Sequence, residues 1–116
     1  MKILVCGGRE YADIDKVYEV LDRLHEQNPI TMLVHGAARG ADSLADAWAV
    51  DNSVPQDPIA AEWNRYRNYA GPIRNREMVI KHRDITLVVA FPGGSGTRDM
   101  IKVAAMAGIT VMEVRA

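Results

Sequence analysis

The sequence of 116 residues contains a single cysteine and no histidine pattern typical of a metal site. One cysteine, Cys6, excludes an internal disulfide and argues against a cysteine-rich zinc site. The three histidines, His25, His35 and His82, lack ligand-like spacing, so no resident metal ion is predicted. Because Cys6 ends a strand-like apolar run, we expect its thiol to be buried and structural.

The chain also lacks a long apolar run and an excess of basic charge. No apolar stretch approaches the roughly 20 residues that cross a bilayer, and the opening MKILVCGG has no signal-peptide cleavage pattern. The formal net charge of −1 gives no overall signal for nucleic-acid binding. With 48% apolar and 25% charged residues, we expect residues 1–116 to form one globular domain that acts in the cytoplasm without a membrane partner.

Short apolar runs alternate with segments whose apolar residues repeat at helical spacing. Strands are predicted over residues 2–6, 31–35, 56–60, 85–89 and 110–114. Helices are predicted from Asp13 or Asp15 to about residue 27, and over residues 41–50, 73–82 and 97–107. This alternation predicts an α/β fold: a single Rossmann-like three-layer domain with a parallel sheet of about five strands and helices on both faces. Proline at 55 and 58 would confine the third strand to an edge of that sheet.

Three glycine-bearing turns follow three of the predicted strands. In an open parallel sheet the ligand sits beyond the carboxyl ends of the strands, which gathers these turns at one edge. Glycine lets a backbone approach an anion closely, and a helix start behind it offers free N–H groups. The predicted phosphate-binding residues are Gly7, Gly8 and Arg9 in the first turn, Gly36, Ala37, Gly40, Ala41 and Asp42 in the second, and Pro92, Gly93, Gly94, Ser95, Gly96 and Thr97 in the third. A nucleotide is therefore the first ligand to consider.

Two familiar nucleotide motifs are absent from these turns. Glu10 and Tyr11 break the GxGxxG spacing after the first strand, so a dinucleotide cofactor is not indicated. The third turn lacks the lysine of a P-loop, which argues against ATP hydrolysis of that kind. Asp42 is interpreted equally well as a helix cap or as a ribose contact, and His35 more readily as a core histidine than as a catalytic one.

Arginines alternate with aromatic residues over residues 63–78. Such a mixture can pair with phosphate and stack a base, or it can form a solvated face or a subunit interface. Pro72 suits the first turn of a helix, and this would place Arg74 and Asn75 near the helix start, facing an anion. Those two residues join the predicted binding set ahead of Arg65 and Arg67.

These motifs, taken in order, resemble the SLOG superfamily. GGR, HGAARGAD, GPIRNREM and AFPGGSGT are similar to motifs of this Rossmann-like group, which is named for the DNA-uptake protein DprA/Smf and the LOG phosphoribohydrolases. The small YspA-like (DUF2493) branch is the most similar, and the resemblance covers nearly the whole chain. It implies a Rossmann-like fold, a nucleotide or nucleotide-derived ligand with magnesium left open beside its phosphate, and a bacterial or phage-infected bacterial cell.

The resemblance also bears on catalysis. LOG enzymes cleave the N-glycosidic bond of nucleoside 5′-monophosphates and carry a glutamate at the end of PGGxGTxxE, where this chain has Met100. Asp99 is one residue early and would point about 100° away around the helix. No catalytic residue is assigned. The weak candidates are Arg74 as counterpart of the LOG arginine, and the carboxylates Glu62, Glu77 and Asp99 if the fold brings them to the site.

Three functions stay open at this point. The leading one is binding or sensing of a nucleotide-derived ligand, and the alternative is a phosphoribohydrolase-like enzyme that uses another acid. Single-stranded DNA binding is a lesser alternative, favoured by the local arginines and opposed by the near-neutral charge. We also expect a homo-oligomer, a dimer or higher, because Trp48, Trp63 and the tyrosines could expose apolar surface and proteins of this fold commonly pair.

Overall fold

A computed structural model describes residues 1–116, and in it a five-stranded sheet carries helices on both faces. The strands are β1 (Lys2–Cys6), β2 (Met32–His35), β3 (Gln56–Pro58), β4 (Leu87–Ala90) and β5 (Thr110–Glu113). The helices are α1 (Ile14–Gln27), α2 (Ala41–Asp51), α3 (Trp63–Tyr66), α4 (Ala70–Lys81) and α5 (Ser95–Met106), with one 3-10 turn at Arg67–Tyr69. The predicted fold class is confirmed. None of the helices combines the length and the apolar character needed to cross a membrane.

The sheet is wholly parallel, in the order β3-β2-β1-β4-β5, so β1 lies at its centre. Ile3 in β1 stands opposite both Leu33 in β2 and Leu87 in β4. After β3 the chain returns across the sheet to form β4 on the other side of β1. This reversal opens a crevice at the carboxyl ends of β1 and its neighbours, where ligands bind in open α/β sheets.

The side chains of β1 divide between two apolar layers. Ile3 and Val5 pack with α1 and α2 on one face, and Leu4 and Cys6 pack with α4 and α5 on the other, as the two-residue period of a strand requires. Cys6 is buried, as expected. Trp48 on α2 has no exposed surface and donates its indole N–H to Asp22 at 2.8 Å, so the expectation that it contributes to an exposed surface is wrong.

Observed and predicted element boundaries differ by one to three residues in most places. α4 begins at Ala70, three residues early, because Pro72 fits inside a first helical turn that has no use for its missing N–H. α5 begins at Ser95 instead of residue 97, and β3 ends at Pro58, on the predicted edge of the sheet. Residues 63–69 were not predicted to be helical, because one short turn of helix leaves no periodicity to detect.

A polar cluster ties the far end of α4 to the sheet. The ammonium of Lys2 can only donate, so it donates to Nδ1 of buried His82 at 3.1 Å, and the Nε2–H of His82 donates to Asp57 at 2.7 Å. Lys81 lies 2.9 Å from the same carboxylate, and these contacts, that of Lys81 first, lower the pKa of Asp57. The cluster joins α4 to β1 and β3 and so fixes the helix that carries Arg74 and Asn75.

Trp48→Ala is expected to lower the free energy of unfolding by about 4 kcal/mol, because it empties a fully buried site and leaves Asp22 without its donor. Urea unfolding followed by circular dichroism measures the loss. Val50→Ala, on the same helix at a residue that is 65% exposed, is the control and should change stability by less than about 0.5 kcal/mol. Equal effects of the two variants would contradict the described packing.

Candidate functional site

The turns that follow β1, β2 and β4, together with the start of α4, enclose a cavity of about 580 Å³ at the carboxyl edge of the sheet. The predicted residues that line it are Gly7, Gly8, Arg9, Gly36, Asp42, Arg74, Asn75, Gly94, Ser95, Gly96, Thr97 and Asp99. The fold therefore brings together side chains and glycines from four separate segments of the sequence.

Other predicted residues hold the turns together without lining this cavity. Gly8 donates its N–H to the carbonyl of Pro92 at 2.9 Å, and Ala41 donates to the carbonyl of Gly8 at 3.2 Å. Gly40 has a φ of +81°, and a Cβ there would collide with the backbone of Gly8 and lie 2.7 Å from the Cα of Arg9. The contacts of Gly40, Ala41 and Pro92 within the chain therefore give them a packing role between the loops, and their contact with a ligand stays a prediction.

Gly93 and Ala37 also lie outside the lining of the main cavity. A Cβ on Gly93 would lie 2.6 Å from the amide of Gly8 and would collide with Thr97, so glycine is needed there for packing inside the chain. Ala37, with a φ of +54°, lines a smaller neighbouring cavity instead of the main one.

The start of α5 is the most open donor group in the cavity. Gly94 caps the helix without any side-chain hydrogen bond, and the amides of Ser95, Gly96 and Thr97 donate no hydrogen bond within the chain. A Cβ on Gly94 or on Gly96 would meet no atom within 4 Å. Internal packing therefore gives no reason for these two glycines, and the free amides at the positive end of a helix suit an anion.

Arg74 reaches from α4 across the turn that follows β2. Its Nη1 donates to the carbonyl of Gly36 at 2.5 Å, and a Cβ on Gly36 would collide with the guanidinium. Asp42 accepts from the amides of Gly36 at 3.1 Å and Ala38 at 3.3 Å. Asp42 is therefore not the cap of α2, whose N-cap is Gly40; it braces the turn beneath Arg74.

Burial sets the protonation equilibria of this group. Loss of solvation raises the pKa of Asp42, against the opposing effects of the turn amides, His35 and Arg74. Loss of solvation likewise lowers the pKa of Arg74, which the negative charge of Asp42 counteracts. Burial, and then Asp42, raises the pKa of the Cys6 thiol to about 12, so this thiol in the cavity wall stays protonated and is a poor nucleophile.

Asn75 connects Arg74 to α5. Its Oδ1 accepts from Nε of Arg74 at 3.1 Å, and its Nδ2 donates to Asp99 at 2.9 Å and to the carbonyl of Gly96 at 3.4 Å. Both N–H groups of Asn75 and its oxygen have partners within the chain, so Asn75 positions Arg74 and Asp99 in the cavity wall. Its contact with a phosphate stays a prediction.

Asp99 lines the cavity together with Met100, although its helix position predicted a direction away from the site. The cavity wraps around the beginning of α5, so adjacent helix positions both reach it. The carboxylate lies 3.9 Å from Arg76 as well as accepting from Asn75. Of the carboxylates considered as substitutes for the LOG glutamate, Asp99 is the one that the fold brings to the site.

Glu62, Glu77 and His35 lie outside the cavity lining. Glu62 is exposed beside Arg65 at 3.9 Å, and Glu77 is exposed on α4. His35 is buried, accepts from the amide of Ala37 at 3.0 Å, and donates through Nε2 to Gln56 at 2.9 Å. These contacts give His35 the core role that was favoured for it. Nowhere do three His, Cys, Asp or Glu side chains meet in a group that could hold a metal ion.

The structure adds lining residues that the motifs did not single out. Trp63 and Asn68 close the cavity from the α3 side, and Met78 lines it from α4. The guanidinium of Arg9 lies over the indole of Trp63, 4.9 Å from the ring centroid, in a favourable cation–π arrangement. The alternation of basic and aromatic residues signalled Trp63, and Met78 ends the GPIRNREM motif, whereas nothing in the pattern signalled Asn68.

Comparison with known proteins agrees with the motifs. A model of the YspA, cpYpsA-related SLOG family matches residues 1–66, and the chain belongs to this family of Rossmann-like proteins. The gene 61 protein of Mycobacterium phage D29 is 38% identical in an alignment 119 residues long. The alignment covers 96% of this chain and 94% of that protein. The family match includes the turns after β1 and β2 and ends before α5.

Solved structures with the same fold include two crystal structures of the C-terminal domain of a hydrogenase from Pyrococcus furiosus. The first superposes with a TM-score of 0.59 at 16% sequence identity, and the second with a TM-score of 0.56 at 17% identity. The superpositions cover 98% and 97% of this chain, respectively, and 90% of each hydrogenase chain. At that identity the likeness is one of fold alone.

Asp42→Asn is expected to flatten the pH dependence of stability. The folded-state pKa of Asp42 is raised above the ordinary aspartate value of 3.8, so the folded chain holds this proton more tightly than the unfolded chain does. The contribution of Asp42 to the free energy of unfolding is therefore at its maximum below the ordinary pKa, and it is lost as the pH rises through the folded-state pKa. Asparagine keeps an oxygen for the amides of Gly36 and Ala38 but does not titrate, so the variant gains stability relative to the wild type as pH rises.

Urea unfolding between pH 3.5 and pH 7 measures this difference. The groups that face Asp42, namely Cys6, His35 and Arg74, are the same in both proteins. Glu26→Gln, at an exposed site on α1, is the control and should leave the difference from wild type constant. Parallel profiles for wild type and Asp42→Asn would contradict the assignment.

Proposed function

We propose that this chain binds, and thereby holds or senses, a nucleotide or nucleotide-derived ligand whose phosphate sits at the N terminus of α5. The observation that carries the proposal is the convergence of three unpaired amides of α5 with the guanidinium groups of Arg9 and Arg74 on one cavity. Backbone amides at a helix start donate to phosphate oxygens, and a guanidinium offers paired donors to the same group.

The remainder of the cavity supports a ligand larger than phosphate. Its volume of about 580 Å³ falls in the range of sites for small organic molecules. Met78 and Met100 give it an apolar floor, and Trp63 gives it an aromatic edge. Such a lining suits a ribose and a base, and membership of a SLOG family supports the same ligand class.

Gly94→Asp is expected to weaken nucleotide binding at least tenfold. The new carboxylate would stand beside the bound phosphate and repel it, and the open space around Gly94 lets the variant fold normally. Isothermal titration with a panel of nucleoside mono- and diphosphates, with and without magnesium, measures the effect.

Ala105→Asp is the matched control for charge. It adds the same group at an exposed position on the same helix, nine residues beyond Gly96 and therefore about 14 Å along the axis. Its affinity should stay within twofold of wild type. If Gly94→Asp binds as well as Ala105→Asp does, the phosphate does not occupy the start of α5.

A second candidate function is hydrolysis of the N-glycosidic bond, and the position of Asp99 is the observation that favours it. A carboxylate beside the sugar stabilises the oxocarbenium-like transition state of that reaction. Asp99 lines the proposed ligand cavity and is oriented by Asn75 at 2.9 Å.

Incubation with the nucleotide panel, followed by liquid chromatography and mass spectrometry, separates the two functions. A holding or sensing role predicts intact nucleotides. A hydrolytic role predicts free base with sugar phosphate, and Asp99→Asn should then lower the rate at least a hundredfold while binding persists. Hydrolysis that survives in Asp99→Asn would remove this residue from the mechanism.

The remaining expectations concern self-association, DNA binding and the cell in which the protein acts. The exposed Trp63 and Tyr69, 45% and 74% accessible, favour self-association. Arg65 stacks on Tyr66 beside the exposed Glu62 and lies outside the cavity lining, which gives single-stranded DNA binding little support. The phage relative favours a bacterial or phage-infected bacterial cell as the place of action.

A further inference from the structure

A second cavity, of about 390 Å³, adjoins the first. The two share five lining residues: Arg9, Gly36, Ala38, Trp63 and Arg74. The second cavity continues the first past Arg9 and Trp63, so the two form one elongated cleft. Nothing in the proposed binding of one phosphate accounts for this extension.

The walls of the second cavity are small and apolar. Four alanines line it, two from the turn after β2 and two from the segment after β3, namely Ala37, Ala38, Ala60 and Ala61. Trp63 stands at one side with Arg9 against its ring. Such walls leave room for a sugar or a planar ring to lie against them.

All charged side chains that line the second cavity are positive. Arg9, Arg39 and Arg74 line it, and no carboxylate does. Arg39 pairs with Glu10 at 2.5 Å, but both side chains are largely exposed, at 72% and 85%. An exposed ion pair is weak, so Arg39 is free to turn to an anion in the cavity.

We infer that the ligand carries two separate phosphate groups, one at the start of α5 in the first cavity and one beside Arg39 in the second, with Arg9, which lines both cavities, between them. The ligand class is therefore a doubly phosphorylated nucleotide derivative, such as a nucleoside 3′,5′-bisphosphate or a dinucleotide, rather than a nucleoside monophosphate. This inference rests on the proposed function, because it takes the first phosphate site from it.

Isothermal titration tests the inference with three probes: adenosine 5′-monophosphate, adenosine 3′,5′-bisphosphate and a linear diadenosine dinucleotide with a 5′-phosphate. At least one probe with two phosphates should bind tenfold or more tightly than the monophosphate. The probe that shows the gain tells whether the second phosphate belongs to the same nucleoside or to a second one.

Two variants examine the second cavity alone. Ala60→Phe fills it from an exposed loop position, and Arg39→Ala removes its rim cation. Each should abolish the gain from the second phosphate and leave monophosphate affinity within twofold. Ala105→Phe, an exposed site on α5 far from both cavities, is the control for added bulk, and thermal unfolding confirms that all three variants fold.

The outcomes separate the two proposals. Monophosphate binding that responds to Gly94→Asp, without any gain from a second phosphate, overturns the inference and leaves the proposed function intact. A gain that survives in both Ala60→Phe and Arg39→Ala also overturns it, because the second phosphate then lies elsewhere. Failure of every probe to bind overturns both proposals.

Discussion

The backbone of Gly8 joins the three turns from which the candidate site is built. Its N–H donates to Pro92 after β4, and its carbonyl accepts from Ala41 at the start of α2. A Cβ on Gly8 would stand 3.0 Å from the carbonyl oxygen of Pro92 and 3.1 Å from the Cα of Gly93. The arrangement of Arg9, the turn beneath Arg74 and the start of α5 therefore depends on backbone contacts that only small residues permit.

The positive charge of the candidate cleft is local, since the whole chain carries a formal net charge of −1. Arg74 has a nearby counter-charge in Asp42, which itself is held by the amides of its turn. Arg9 has no carboxylate partner and lies against an indole ring, where an arginine keeps its charge available to a ligand. The positive character of the cleft thus comes from Arg9 and the free amides of α5 more than from Arg74.

The sequence predicts the fold, and the edge of the sheet at which the candidate cavity lies, for a physical reason. Strands alternating with helices require a parallel sheet, and a parallel sheet gathers the turns after its strands at one edge. The role of each glycine is harder to predict, because the sequence does not distinguish a packed glycine from an open one. Gly40 and Gly93 pack against neighbouring backbone, whereas Gly94 and Gly96 face open space. The hydrogen bond between Asn75 and Asp99 is also hard to predict, since the two residues lie 24 positions apart in the sequence.

The start of α5 serves two demands that compete for the same helix positions. Met100 is buried against the layer that includes Leu4 and Met78, so its position anchors the helix to the sheet. A carboxylate there would lose its solvation, which is costly without a partner. Asp99, one position earlier, keeps contact with the cavity and has Asn75 as a donor. In the proposed hydrolytic function the carboxylate would therefore come from position 99, with a geometry different from that of a glutamate at position 100. The phosphate position proposed at the helix start does not depend on this difference.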